Sequence, residues 1–90
     1  MQKNRECYFC GRTFGLEKHH VFAGTANRRI SEREGFWLYL CHDHHTGSHG
    51  AQYDIDLNLL LKQDAQRAYE KTHTRAEWMA LIRKNYLEED

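Results

Sequence analysis

Two pairs of metal-binding side chains with equal bite constrain this chain more than any other feature: Cys7-x2-Cys10 and, after a gap of thirty residues, Cys41-x2-His44. Two such knuckles can close a tetrahedron around Zn²⁺, with Zn–S bonds of about 2.3 Å and a Zn–N bond of about 2.0 Å. His42 competes for the fourth place but lacks the knuckle's spacer, so His44 is preferred. Four protein ligands leave no open coordination position, so the expected zinc is structural. A chain of 90 residues has reason to use one. At this length only about 60% of the unfolded surface is buried on folding, and small domains add a metal, disulfides or a partner. Three cysteines, an odd number, fit a disulfide framework poorly.

The length predicts a single domain over 1–90. No apolar stretch is long enough to cross a membrane, and residues 1–6 are polar. The expectation is a cytoplasmic protein whose thiols stay reduced. Formal net charge is zero; residues 1–50 carry seven Lys/Arg against five Asp/Glu, and residues 51–90 six against eight. That faint asymmetry says only where a phosphate backbone would dock.

Along the chain, the first half is punctuated by glycine and the second is helical. Leu16 to Phe22 reads as a short strand, Ala23 to about Gly35 as a loop, and Phe36 to Leu40 as a second strand. Cys41 to Gly50 begins as the second knuckle and runs into a short helix. From Asp56 the period changes: Leu57, Leu60, Leu61, Ala65, Ala68 and Tyr69 share a face of a helix ending near Thr72. Thr74-Arg-Ala-Glu77 is a capping box opening a last helix, with Trp78, Leu81, Ile82 and Asn85 or Tyr86 on one stripe. The predicted fold is α+β: a zinc-stapled hairpin and helix over 5–50, covered by a C-terminal helical hairpin over 56–87. Tyr8, Phe9 and Phe14 are expected to pack the knuckle.

The zinc uses one of seven histidines, and five of them lie at positions 19, 20, 42, 44 and 45. Adjacent strand residues point to opposite faces, so His19 and His20 divide two tasks: one imidazole binds a metal and the other handles a proton. His45 directly follows the second knuckle, and His49 lies one helical turn further on.

Cys7-x2-Cys10, then Lys18-His19-His20-Val21, then Leu40-Cys41-His42-Asp43-His44-His45 resembles the HNH endonucleases, whose zinc knuckles frame a ββα-metal (His-Me finger, treble-clef-like) hairpin and helix. The resemblance covers about residues 5 to 50. The run from His19-His20-Val21-Phe22 through Gly24-Thr25-Ala26-Asn27-Arg28-Arg29 to His44-His45-Thr46-Gly47 looks like phage-encoded members from recombination or repair cassettes. By position, it implies that His19, His45 and, more weakly, His49 hold a catalytic divalent metal, and that His20 is the general base. The family's middle asparagine falls here on Phe36. Asn27, the only asparagine between the histidine clusters, is offered as the substitute that ties the loop and aims the base.

The implied activity is metal-assisted hydrolysis of DNA phosphodiester bonds, leaving 5′-phosphate and 3′-hydroxyl ends, with Mg²⁺, Mn²⁺, Ni²⁺ or Zn²⁺ as the ion. Imidazoles favour the last three over Mg²⁺. Lys18, Arg28, Arg29 and Arg33 are the candidate contacts to flanking phosphates, although the interleaved Glu32 and Glu34 suit a solvated, salt-bridged loop nearly as well. A second reading is a zinc-containing module that holds nucleic acid without cutting it; the surplus imidazoles distinguish the two. A metal carrier is a weaker third. Oligomeric state is not readable, though double-strand or branched cutting would suit a dimer.

Overall fold

A computed structural model describes residues 1–47 and 50–87 of the chain. The fold is α+β, in the order β1 (Leu16–His20), α1 (Thr25–Glu34), β2 (Trp37–Cys41), α2 (His42–His45), α3 (Ile55–Tyr69) and α4 (Arg75–Ile82). The two strands pair antiparallel, with His20 opposite Trp37, His19 opposite Leu38 and Glu17 opposite Leu40. That register sorts the side chains. Glu17 and His19 share a face with Leu38 and Leu40, both fully buried, while Lys18 and His20 share the other with Trp37 and Tyr39.

The segment 25–34, expected to be loop, is a helix. Its residues include good helix formers (alanine, arginine, glutamate) but almost no apolar periodicity, because only Ile30 and Ser31 turn inward. Ser31 is fully buried without being apolar: its hydroxyl donates to the Phe22 carbonyl (3.1 Å) and accepts from the Phe22 N–H (3.2 Å). Gly35, left-handed at φ 77°, ends the helix, and its N–H returns to the Ser31 carbonyl. Both strands are also shifted from expectation. Val21, Phe22 and Phe36 lie just outside them as buried core residues, and the Val21 N–H bonds the Phe36 carbonyl at 2.9 Å.

α3 begins at an Asp54 cap whose carboxylate accepts from the Asp56 and Leu57 N–H groups. Its buried stripe is Leu61 and Ala65, flanked by half-buried Leu57 and Tyr69, whereas Leu60 faces solvent. Gln66 is fully buried; its amide takes the Tyr86 N–H (2.8 Å) and gives to Asn85 (2.8 Å), fastening the C-terminal tail. The capping box at Thr74 and Glu77 forms. α4 stops at Ile82 with Arg83 in the left-handed region (φ 68°), so Tyr86 packs on the core from a non-helical tail rather than along the helical stripe, and Asn85 stays exposed. Trp78 is the keystone. Fully buried, it contacts the rings of Phe36 (5.5 Å), Phe22 (5.7 Å) and Tyr69 (5.7 Å), and its indole N–H donates to the Lys84 carbonyl at 2.8 Å. Among the described residues no helix is long and apolar enough to cross a membrane.

Candidate metal centres

The first knuckle is a tight turn held by the Cys7 N–H on the Arg12 carbonyl (2.8 Å) and the Gly11 N–H on the Cys7 carbonyl (2.9 Å). Gly11 carries the positive φ of 77° that this turn requires. The Tyr8 N–H bonds the Tyr39 carbonyl at 2.9 Å, laying the knuckle beside β2, whose end delivers Cys41. α2 then turns His44 back towards it. The four ligand atoms of Cys7, Cys10, Cys41 and His44 lie within 4.8 Å of one another, close enough to hold a metal ion.

The nearer separations are 3.8 Å for Cys10 Sγ to Cys41 Sγ, and 3.2 and 3.5 Å from His44 Nδ1 to Cys41 and Cys7. A tetrahedron with bonds of about 2.3 Å has edges of about 3.8 Å, shorter where nitrogen replaces sulfur, so the donor set fits a zinc ion. Burial pushes the Cys7 thiol up, but the backbone N–H groups of Cys41, Cys10 and Phe9 outweigh it, bringing the thiol down to about 6. The shift favours the thiolate, the form that binds metal, while burial pushes the neighbouring Cys41 thiol the other way. His42, the rival fourth ligand, points away: its Nδ1 lies 3.5 Å from Glu17 and 3.1 Å from Thr46 Oγ1. Phe9 packs its ring 5.6 Å from that of His44, as expected of a knuckle aromatic. Phe14 does not; it is 71% exposed, with the Arg12 guanidinium over its ring.

The second cluster begins one residue later. The rings of His19 and His45 meet edge-on, with centroids 5.1 Å apart. His45 Nδ1 is 2.8 Å from Glu17 Oε1, and since a carboxylate only accepts, Nδ1 carries a proton, which in the neutral ring leaves Nε2 with its lone pair. His19 is 8% exposed, and its Nε2 is the buried side-chain nitrogen or oxygen that has no hydrogen-bond partner among the described residues. Leaving such an atom unsatisfied costs about 1–3 kcal/mol. Burial, then the neighbouring His45, His20 and Lys62, hold the His19 imidazole down to about 4, so it is neutral at pH 7. Gly50 lets the chain turn back over this cluster: a Cβ there would stand 2.5 Å from the His45 carbonyl oxygen.

His20, on the opposite face of β1, has its Nε2 2.6 Å from Glu32 Oε2, which leaves Nδ1 as the free acceptor. Because it ends the strand, His20 still reaches the same cavity, of about 450 Å³, that His19, His45, Arg28, Asn58 and Lys62 line. A neighbouring cavity of about 610 Å³ is walled by Lys18, His20, Arg28, Arg29 and Glu32. Thus His19, His20, His45, Lys18, Arg28 and Arg29 are brought together, the two arginines from α1 rather than from a loop. Arg33, also on α1, pairs with Glu34 (3.0 Å) and lines neither cavity. Asn27 is exposed in the first turn of α1 and lines neither. His49 lies outside the described residues.

Sequence reasoning missed Glu17, Asn58 and Lys62, and read Glu32 as a loop salt bridge without its place beside His20. Glu17 carried a signal, since it stands two residues before His19 and so on the same strand face. Glu32 does too, but only once α1 is known to be a helix; its carboxylate is held below the usual range by Lys18 (2.6 Å) first and then by His20. Asn58 and Lys62 depend on how α3 docks. No family model, curated protein or solved structure matches this chain.

Proposed function

We propose that this chain is an HNH-type endonuclease that hydrolyses DNA phosphodiester bonds on a zinc-stapled ββα-metal, treble-clef-like frame. The reading is supported most by one observation: a buried, neutral His19 whose Nε2 has no partner, against His45 whose outer nitrogen is held by Glu17. A carboxylate behind a histidine is the usual way of orienting a metal-bound imidazole. A buried, unsatisfied nitrogen on a ring that packs against that imidazole is what a ligand pair presents before its ion arrives.

In this proposal Cys7, Cys10, Cys41 and His44 hold a structural zinc, and His19 and His45 hold the catalytic divalent ion. When bound, that ion supplies Lewis-acid stabilisation of the charge that grows on the phosphate and the 3′ oxygen. The imidazole ligand set suits Mn²⁺, Ni²⁺ or Zn²⁺ better than Mg²⁺. His20 is the general base: with Nε2–H fixed on Glu32, its Nδ1 accepts a proton from the attacking water. Lys18, Arg28 and Arg29 bind phosphates on either side of the scissile bond.

The test is cleavage of supercoiled plasmid and of branched DNA by zinc-loaded protein in Mg²⁺, Mn²⁺ or Ni²⁺, run beside His20→Ala. The variant is expected to keep its fold, zinc content and DNA affinity and to lose cleavage by about 10²–10⁴-fold, the usual contribution of a general base. Equal cleavage by both proteins removes His20 from its role. A wild type that binds DNA and cuts it with none of these ions leaves the binding-module reading.

A further inference from the structure

We propose that α3 supplies an anion site to the histidine cavity: Lys62, with Asn58 one turn before it, holds a phosphate of the DNA strand being cut. This rests on the nuclease reading and adds to it a group from outside the zinc-knuckle half. Residues 58 and 62 are spaced i, i+4 and so project from one face of α3, adjacent to the buried Leu61–Ala65 stripe. Both line the cavity that holds His19, His20 and His45.

The charge of that cavity is the main evidence. Among the described residues its lining includes three cationic side chains, Lys18, Arg28 and Lys62, and no aspartate or glutamate, although Glu17 and Glu32 bond to the lining histidines His45 and His20. In a chain of zero net charge, whose second half carries more acids than bases, this is a local segregation. Lys18 is paired with Glu32, which lines the neighbouring cavity instead. Lys62 is half-buried and forms no ion pair among the described residues; its ammonium lies 5.6 Å from the Tyr86 ring centroid, with Lys84 over the same ring. Burial and then Lys84 push the ammonium below its ordinary range, so its charged form is held at a cost that an anion in the cavity would relieve. Lys62 and Arg28 line the same cavity, so together with a bound ion they can meet the charge of a phosphate there.

The bland alternative is a lysine that covers Tyr86 with its stem and keeps its head in water. Salt dependence separates the two. Binding of a short labelled duplex is followed by anisotropy over a range of salt concentrations with no divalent ion added, and plasmid nicking is followed in Mn²⁺. The proteins compared are wild type, Lys62→Met, Lys62→Arg and the exposed-surface control Lys71→Met. Loss of one phosphate contact lowers the slope of log K against log salt by about 0.9. Lys62→Met is expected to show that drop together with at least a tenfold (roughly one decade) loss of nicking, Lys62→Arg to retain the slope, and Lys71→Met to resemble wild type. If Lys62→Met is unfolded by circular dichroism, Lys62→Gln takes its place. A Lys62→Met protein with the slope and rate of Lys71→Met overturns the inference while leaving the nuclease reading intact. If wild type does not nick, the nuclease reading fails and the slope alone decides whether Lys62 holds phosphate.

Discussion

His44 and His45 are neighbours on one four-residue helix, yet they look out on opposite chemistries. His44 faces three thiols from two knuckles, a set that satisfies a tetrahedral ion completely. His45 faces one imidazole and, behind it, one carboxylate, in a cavity with room to spare. A closed ligand shell contributes folding energy, whereas an open one leaves polar atoms unpaired and so costs stability until something binds. The same side chain, one position apart, completes a donor set in the first case and in the second lies against His19, whose buried Nε2 is left unpaired.

That contrast can be broken most forcefully at the closed cluster. Cys41→Ser should abolish the cooperative thermal transition and the bound zinc together, because structural zinc carries apparent binding energies of about 10–16 kcal/mol at pH 7. A soluble, cooperatively melting, zinc-free variant would mean that the quartet is not what folds the chain. The open cluster should respond in the opposite sense. His19→Leu removes the buried unpartnered nitrogen, and in zinc-loaded protein without further divalent ions it should stabilise by about 1 kcal/mol. In a domain of this size that is a melting-temperature rise of about 4–8 °C. The same variant should lose the second ion from a Ni²⁺ or Mn²⁺ calorimetric titration; a fall in melting temperature with the second ion retained would reverse the assignment.

A subtler change is Glu17→Gln, which keeps the side chain's shape but weakens its hold on His45. Second-ion affinity should drop by about 10–100-fold while the zinc quartet is untouched. An unchanged titration would show that Glu17 serves His42 or solvent instead. Smallest of all, Phe14→Ser should alter stability by less than about 0.5 kcal/mol, since the ring is 71% exposed and lies outside the knuckle packing. A loss of several kcal/mol in chemical denaturation would put that aromatic back into the metal-bound half.

Reading the chain without coordinates succeeded where the constraint is local. The x2 spacer of each knuckle, the Thr74–Glu77 capping box and the Phe36–Leu40 apolar run between Gly35 and Cys41 each act over a few residues. Those features brought the quartet, the last helix and, within a residue or two, the strand bounds within reach. α1 escaped because a helix anchored by one serine hydroxyl and one isoleucine leaves no apolar stripe. Leu60 was misplaced for a related reason: three leucines in sequence at 59, 60 and 61 offer several faces, and only docking selects Leu61. The partners of the histidines, Glu17 apart, come from other elements, so their pairing is tertiary information that periodicity does not carry.

The chain leaves the hairpin at His20 and re-enters it opposite, at Trp37, with Val21 and Phe36 clasped at the neck. Everything from 22 to 35 is thus an excursion closed at its base, tethered by a serine and carrying Arg28 and Arg29 on its outside. Lengthening such an excursion is entropically inexpensive, since each doubling of a loop costs only about 0.6 kcal/mol. Insertions or replacements in this cassette would remodel the cationic rim while leaving the strand ends, and the imidazoles they carry, where they are. Glu32 is the member of this excursion that touches His20, so changes that spare it alter the rim and leave that imidazole's partner in place.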